Sequence, residues 1–235
     1  DKAANPVNIM GASKKLMEEL IMAYSGKLKI TTARFANVAF SNGSLPLGFI
    51  ERLSKRQPWS CPTGIKRYFV SPQESGELCL VASVLGETGD IIFPKLDPER
   101  DMMTFDGIAR DLLDYLGLKP DVCLTEDEAR EKALLQDEKS DRWPVYFFET
   151  DTSGEKPYEE FFTEKEAVDY ERFINLGVVK NSSKRDIRQI EEIFGRLRIL
   201  FDSGNVTKAA VVDILKEYLP SFEHIEKGKG LDSKM

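Results

Sequence analysis

Asp1 and Lys2 set a carboxylate and an amine side by side at the start of the chain. Such a pair can protonate one atom of a bound molecule while deprotonating its neighbour. Met10 and Lys14 lie four positions apart, which places them on one face of a helix, with Lys14 as its cation. Asn37 stands where a β-rich run ends, and Ser44 lies in a polar loop before a helical stretch. Arg67 carries the planar fork that binds phosphate bidentately, and Glu155 sits in the turn-like run Thr152-Ser153-Gly154-Glu155-Lys156-Pro157. Singly, each is ordinary surface chemistry; the set and its order carry the interest.

Other chemistries are excluded by composition. The one histidine, His224, lies near a polar tail, so a histidine triad or a multi-histidine metal site is not available. Cys61, Cys79 and Cys123 are far apart and form neither a CxxC site nor a disulfide framework, which fits a reducing cytoplasm. With 41% hydrophobic residues, 31% charged residues and a net charge of -7, the chain can bury a core and is not built to bind nucleic acid. No apolar run approaches the ~18 residues of a membrane span. The opening has neither an initiator Met nor an apolar leader, so the sequence reads as the interior of a longer protein whose N-terminal part is missing.

These residues need elements to position them. Ile9, Leu16, Leu20 and Ile21 recur at helical spacing over residues 8–24, with Gly26 as the stop. Residues 27–38 read as β-rich, 41–44 as a loop and 46–53 as a helix. Residues 59–70 are turn-rich and short-stranded, 75–85 an apolar helix and 90–94 a strand. A helix over 104–116 is capped by Thr104 and ended by Gly117. Residues 125–141 are acidic and helical, and 143–148 are β-type. Thr163 and Glu166 form a capping box that predicts a helix over 163–175. Residues 182–201 and 206–219 predict a helical hairpin around Ser203-Gly204-Asn205, and 227–235 a frayed tail. The alternation predicts an α/β fold with a parallel sheet.

The opening DKAANPVNIMGASK resembles the DKAxxPxNxYGAxK signature of the UDP-N-acetylglucosamine 4,6-dehydratases of polysaccharide biosynthesis. These form the CapD-like branch of the extended short-chain dehydrogenase/reductase superfamily. Every defined position matches except the tyrosine, which is Met10. Further matches follow in family order. Residues 32–38, TARFANV, are similar to the RxxNV strand end, and residues 42–47 to the GSxxP loop. Residues 66–74 resemble the TRFWIT-x-x-E stretch, with Arg67 and Glu74 in register. Residues 152–160 resemble RPGEKLxEE, with Glu155 matching and Thr152 in place of the arginine. Pro94-Lys95 matches a Pro-Lys step to which no chemistry is assigned.

The resemblance implies the C-terminal part of a Rossmann-like NAD(P)-binding fold with a small substrate-binding domain and a C-terminal helical extension. Residues 1–40 would be the remainder of the dinucleotide domain and 41–165 a nucleotide-sugar region interleaved with late Rossmann elements. Residues 166–225 would form the helical extension and 226–235 a flexible tail. The implied reaction oxidises sugar C4 with NADP (or NAD), removes water across C5 and C6, and returns the hydride to C6. Lys2 would take the C5 proton, which requires a lysine with lowered pKa, and Asp1 would protonate the leaving hydroxyl. Lys14 would hold the nicotinamide ribose, with Phe35 and Ala36 passing close to the nicotinamide. Asn37, Ser44, Arg67 and Glu155 would hold the UDP-sugar, beside Lys2. Met10 cannot act as the C4 base, which leaves Lys2 or Asp1. The expected setting is a cytoplasmic homo-oligomer. A UDP-sugar C4 epimerase, a 4-keto reductase or a non-catalytic relic are the alternatives. The family's GxxGxxG loop does not occur in the sequence, so the chain alone is expected neither to hold NADP well nor to turn over.

Overall fold

Asn8 starts the first helix by accepting the Gly11 N–H on its side chain, 2.7 Å away, which satisfies one of the open donors of the first turn. Five later helices begin the same way, on Ser44, Thr104, Thr125, Asp186 and Thr207. The computed structural model describes residues 2–137, 139–149, 156, 158–180, 182 and 184–224. In chain order these form α1 (Ile9–Ala23), β1 (Thr32–Ala33), β2 (Asn37–Val38), α2 (Leu45–Ser54), β3 (Trp59–Thr63) and β4 (Lys66–Val70). Then come α3 (Pro72–Leu85), β5 (Ile91–Pro94), β6 (Met102–Thr104), α4 (Phe105–Tyr115), β7 (Lys119–Cys123) and α5 (Glu126–Leu134). The series closes with β8 (Arg142–Glu149), β9 (Val168–Asp169), β10 (Leu176–Val179), α6 (Ile187–Asp202) and α7 (Lys208–Tyr218).

The chain divides into two units. The first comprises Asp1–Phe35, Gln73–Lys95 and Glu159–Glu226. Its sheet runs β1-β5-β10-β9, with β1 parallel to β5 and the other pairings antiparallel. Leu78 and Ala82 of α3 pack on Ile92 and Val178 of that sheet, the crossover expected between two parallel strands. The helical hairpin of α6 and α7 buries Ile193, Val211, Val212 and Leu215 against Ala12 and Leu16 of α1. This apolar seam follows the helical period of both segments.

The second unit comprises Ala36–Pro72 and Leu96–Tyr158. Here β3, β8 and β7 form a parallel sheet, and β2-β4-β6 a smaller mixed one. Phe49 stacks on Trp59 at 4.5 Å, and with Cys61, Ala109, Leu113, Trp143 and Val145 they form its core.

An α/β fold is what the alternation predicted, but the sheets are not parallel throughout. The connection from β9 to β10 is short, and a short connection joins antiparallel neighbours. The helix predicted over 163–175 is absent. Half of its capping box forms, as Thr163 N–H donates to Glu166 Oε2 at 2.7 Å. The Glu166 carboxylate, however, is also held by Arg34, and the chain beyond it enters β9. The β-rich run over 27–38 yields two separate two-residue strands. Among the described residues no helix is long and apolar enough to cross a membrane.

Candidate active site

Lys2 lies in the segment that leads into α1, and its neighbours Ala3 and Ala4 are buried. Gly11 explains how the segment fits. A Cβ built on Gly11 would stand 2.8 Å from the Lys2 carbonyl oxygen and 3.1 Å from Pro6 Cβ. The missing side chain therefore lets the first turn of α1 lie directly against the Lys2 backbone. Lys2 itself is half-buried and has a partner. Asp1 lies outside the described residues.

Met10 and Lys14 are both exposed on α1, Met10 at 61%. Lys14 meets no hydrogen-bond or ion-pair partner among the described residues, so its ammonium is open to a ligand. The opposite side of the helix buries Ala12, Leu16 and Met22. Burying that side fixes which way Lys14 faces.

Phe35 ends the first unit, half-buried beyond β1 and packed against the Leu78 cluster. Arg34, beside it, is 3% exposed. Its Nε and Nη2 donate to Glu18 at 2.8 and 2.6 Å, and its Nη1 and Nη2 donate to Glu166 at 2.9 and 2.7 Å. A fifth bond runs from Nη1 to the Phe161 carbonyl at 2.9 Å. Burial pushes the carboxyls of Glu18 and Glu166 upward, but the hydrogen bonds and charge of Arg34 outweigh it and hold both below their ordinary value. The same partners raise Arg34 against the opposing effect of burial.

The remaining expected site residues belong to the second unit. Ala36 is buried, and Asn37 is half-buried in β2, paired with Phe69. Ser44 caps α2, its Oγ accepting from Leu47 N–H at 3.4 Å. Gly43 just before it adopts φ +77, which glycine alone adopts without strain. Arg67 is 7% exposed. Its Nη1 donates to the carbonyls of Lys66 and Lys156 at 2.8 and 3.0 Å, and its guanidinium lies 5.7 Å from the Phe105 ring centroid. Arg67 thus holds the backbone beside the Glu155 motif. Glu155 and Thr152 lie outside the described residues.

The structure therefore joins Lys2, Met10 and Lys14 in one unit around the start of α1, and Asn37, Ser44 and Arg67 in the other. Sequence reasoning missed the ionic cluster of Arg34, Glu18 and Glu166. Its signal was legible: Glu18 falls on the side of α1 that Leu16 and Met22 mark as buried, and Arg34 interrupts an apolar strand end. Lys95, to which no chemistry was assigned, anchors a turn: its Nζ donates to the carbonyls of Tyr170, Phe173 and Ile174.

Comparison with known proteins gives the family. An uncharacterized membrane protein, MJ1061, of Methanocaldococcus jannaschii is 31% identical over 185 residues, covering 76% of this chain and 49% of that protein. The capsular polysaccharide biosynthesis protein CapD of Staphylococcus aureus is 31% identical over 123 residues, 51% of this chain and 20% of CapD. A UDP-glucose 4-epimerase of Rickettsia rickettsii is 31% identical over 128 residues, 52% of this chain and 36% of the epimerase. The chain thus spans half or less of the length of each of these relatives. The X-ray structure of Pen from Bacillus thuringiensis superposes with a TM-score of 0.57 at 19% identity, covering 78% of this chain and 51% of Pen. That likeness shows a shared α/β, Rossmann-like fold. The family model described as polysaccharide biosynthesis protein matches residues 1–181, and the chain belongs to that family.

Proposed function

We propose that this chain is the C-terminal part of a nucleotide-sugar 4,6-dehydratase that acts on UDP-N-acetylglucosamine and yields a UDP-4-keto-6-deoxy-hexosamine. The observation that carries the reading is the arrangement at the start of α1. Gly11 admits the Lys2 backbone against the first turn, and Lys14 stands exposed one turn beyond Met10 on the same helix.

The fit to a nicotinamide dinucleotide is partial. The open ammonium of Lys14 suits the ribose hydroxyls. Gly43 is a single left-handed glycine before one helix, whereas a dinucleotide phosphate loop uses three in a strand–loop–helix frame. The pyrophosphate end is therefore assigned to no residue of this chain. When bound, NADP or NAD supplies the acceptor and donor of a hydride.

The chain's own residues do the rest. With C4 oxidised, the C5 proton is acidic and passes to the Lys2 amine. Asp1 gives a proton to the C6 hydroxyl, the C6–O bond breaks and water leaves. Hydride added at C6 and a proton returned to C5 by Lys2 complete a redox-neutral sequence. Lys2 or Asp1 also takes the C4 hydroxyl proton, since the Met10 thioether cannot; if Lys2 takes it, it hands that proton to Asp1 before the C5 step, so in either case the proton is the one Asp1 later gives to the C6 hydroxyl. Asn37 and the capped start of α2 at Ser44 meet the nucleotide-sugar, and Glu155 its ribose. Arg67 acts on the Glu155 segment through the Lys156 carbonyl. The assembly is a cytoplasmic homo-oligomer.

The Rickettsia relatives named UDP-glucose 4-epimerase favour a second reading, C4 epimerisation. That reaction breaks no C6–O bond and needs no acid for a C6 leaving group. Incubation of the full-length gene product with UDP-N-acetylglucosamine separates the two. A 4-keto-6-deoxy product supports dehydration, and the 4-epimer overturns it.

A further inference from the structure

Arg34 uses every donor it has. A guanidinium carries five N–H groups: one on Nε and two on each Nη. In this chain they meet five acceptors: two oxygens of Glu18, two of Glu166 and the Phe161 carbonyl. None is left for a phosphate or a ribose, although Arg34 sits in the strand-end motif beside Phe35. Lys15 also pairs with Glu18 at 2.9 Å, so two cations face two carboxylates and the buried cluster is neutral.

Its three acceptor groups belong to two stretches of chain far apart in sequence. Glu18 lies on α1, one turn beyond Lys14. Phe161 and Glu166 lie in the segment that follows the 152–160 motif, and Glu166 also closes that segment by accepting from Thr163 N–H at 2.7 Å. Lysine could not make these contacts, since its three donors radiate from one atom, whereas the rigid fork of arginine bonds two carboxylates and a carbonyl in fixed directions.

We propose that Arg34 is a positioning residue that locks the Lys14-bearing helix and the 161–166 segment to a single guanidinium, so that the two open and close as one body. Its consequence for ligand binding rests on the function proposed above: the cofactor-facing helix and the segment next to the nucleotide-sugar motif then hold one fixed geometry. Stability alone does not require an ionic cluster, because well-packed apolar side chains commonly replace a buried ion triad at no cost. Locking two stretches by directional bonds does require it.

The test uses the full-length gene product and Glu166→Gln, which keeps the side-chain shape and removes the charge. Amide hydrogen exchange is read over residues 161–167 and over residues 9–17. Exchange is expected to rise by about tenfold or more in both stretches together; a rise confined to 161–167 overturns the proposal. A second variant, Glu18→Leu with Arg34→Met and Glu166→Leu, is expected to melt near the wild type yet to bind UDP about tenfold more weakly. Wild-type affinity for UDP in that triple variant also overturns it. If the wild type itself does not bind UDP, the proposed function fails, and the paired exchange change still decides the coupling.

Discussion

Glu166 faces Arg34 with both carboxylate oxygens, at 2.7 and 2.9 Å, across 132 positions of sequence. The same guanidinium holds Glu18 on α1, so each carboxylate is stabilised in its charged form. A group with a lowered folded-state pKa binds fewer protons folded than unfolded, so its contribution grows with pH. The stability from Glu18 and Glu166 is complete above their ordinary value of 4.5 and is lost as pH falls from there through their lowered folded values. Thermal melting followed downward from neutral pH is expected to show this loss, with a shallower slope in Glu166→Gln. Arg34→Met alone leaves the buried Glu18 with Lys15 as its one remaining ion-pair partner among the described residues and takes the bidentate partner from the half-buried Glu166, and it is expected to destabilise by about 3–5 kcal/mol at neutral pH. An equal pH slope in wild type and Glu166→Gln would remove the cluster from the account.

Lys14 separates function from folding. It is exposed and unpartnered among the described residues, so Lys14→Ala is expected to change stability by no more than about 0.5 kcal/mol. The full-length variant should nevertheless bind NADP more weakly. Unchanged cofactor affinity would take Lys14 out of the site.

Gly11→Ala sets two effects against each other. Alanine gains about 1 kcal/mol of helix propensity over glycine. Its Cβ would sit 2.8 Å from the Lys2 carbonyl oxygen, a backbone atom that has to move. The variant is expected to melt close to wild type or below it, and turnover by the full-length protein is expected to fall because Lys2 is displaced. A stabilised variant with full turnover would show that the close approach positions nothing.

The three cysteines should differ sharply in reactivity. Cys79 is exposed, whereas Cys61 and Cys123 are buried. Burial, with the nearby Asp106 charge, pushes the Cys61 thiol up to about 12, and burial raises Cys123 as well. Only a thiolate attacks. A thiol reagent at pH 8 is therefore expected to label Cys79 rapidly and the other two only on unfolding, as read by intact mass.

Local signals made most elements legible. The caps Asn8, Ser44 and Thr104 start helices where the sequence placed them, and Gly117 at φ +73 ends α4 as expected. The misses were long-range. Thr163 and Glu166 carry a helix-start pattern, yet Arg34 claims the Glu166 carboxylate and the following residues pair in β9, which no local window contains. β7 was hidden because Lys119-Pro120-Asp121 reads as a turn; its place comes from five register pairs with β8. At the site, spacing revealed the Met10 and Lys14 face, but not that Arg67 binds backbone carbonyls or that Arg34 has every donor occupied. Such facts depend on which buried acceptors the fold brings near.

The most direct test runs the full-length protein with UDP-N-acetylglucosamine and NADP in deuterated water, with the product read by NMR. If Lys2 removes the C5 proton and returns one after water has left, the product is a 4-keto-6-deoxy sugar nucleotide carrying deuterium at C5. A C4 epimer with an intact C6 hydroxyl and no deuterium at C5 contradicts the account.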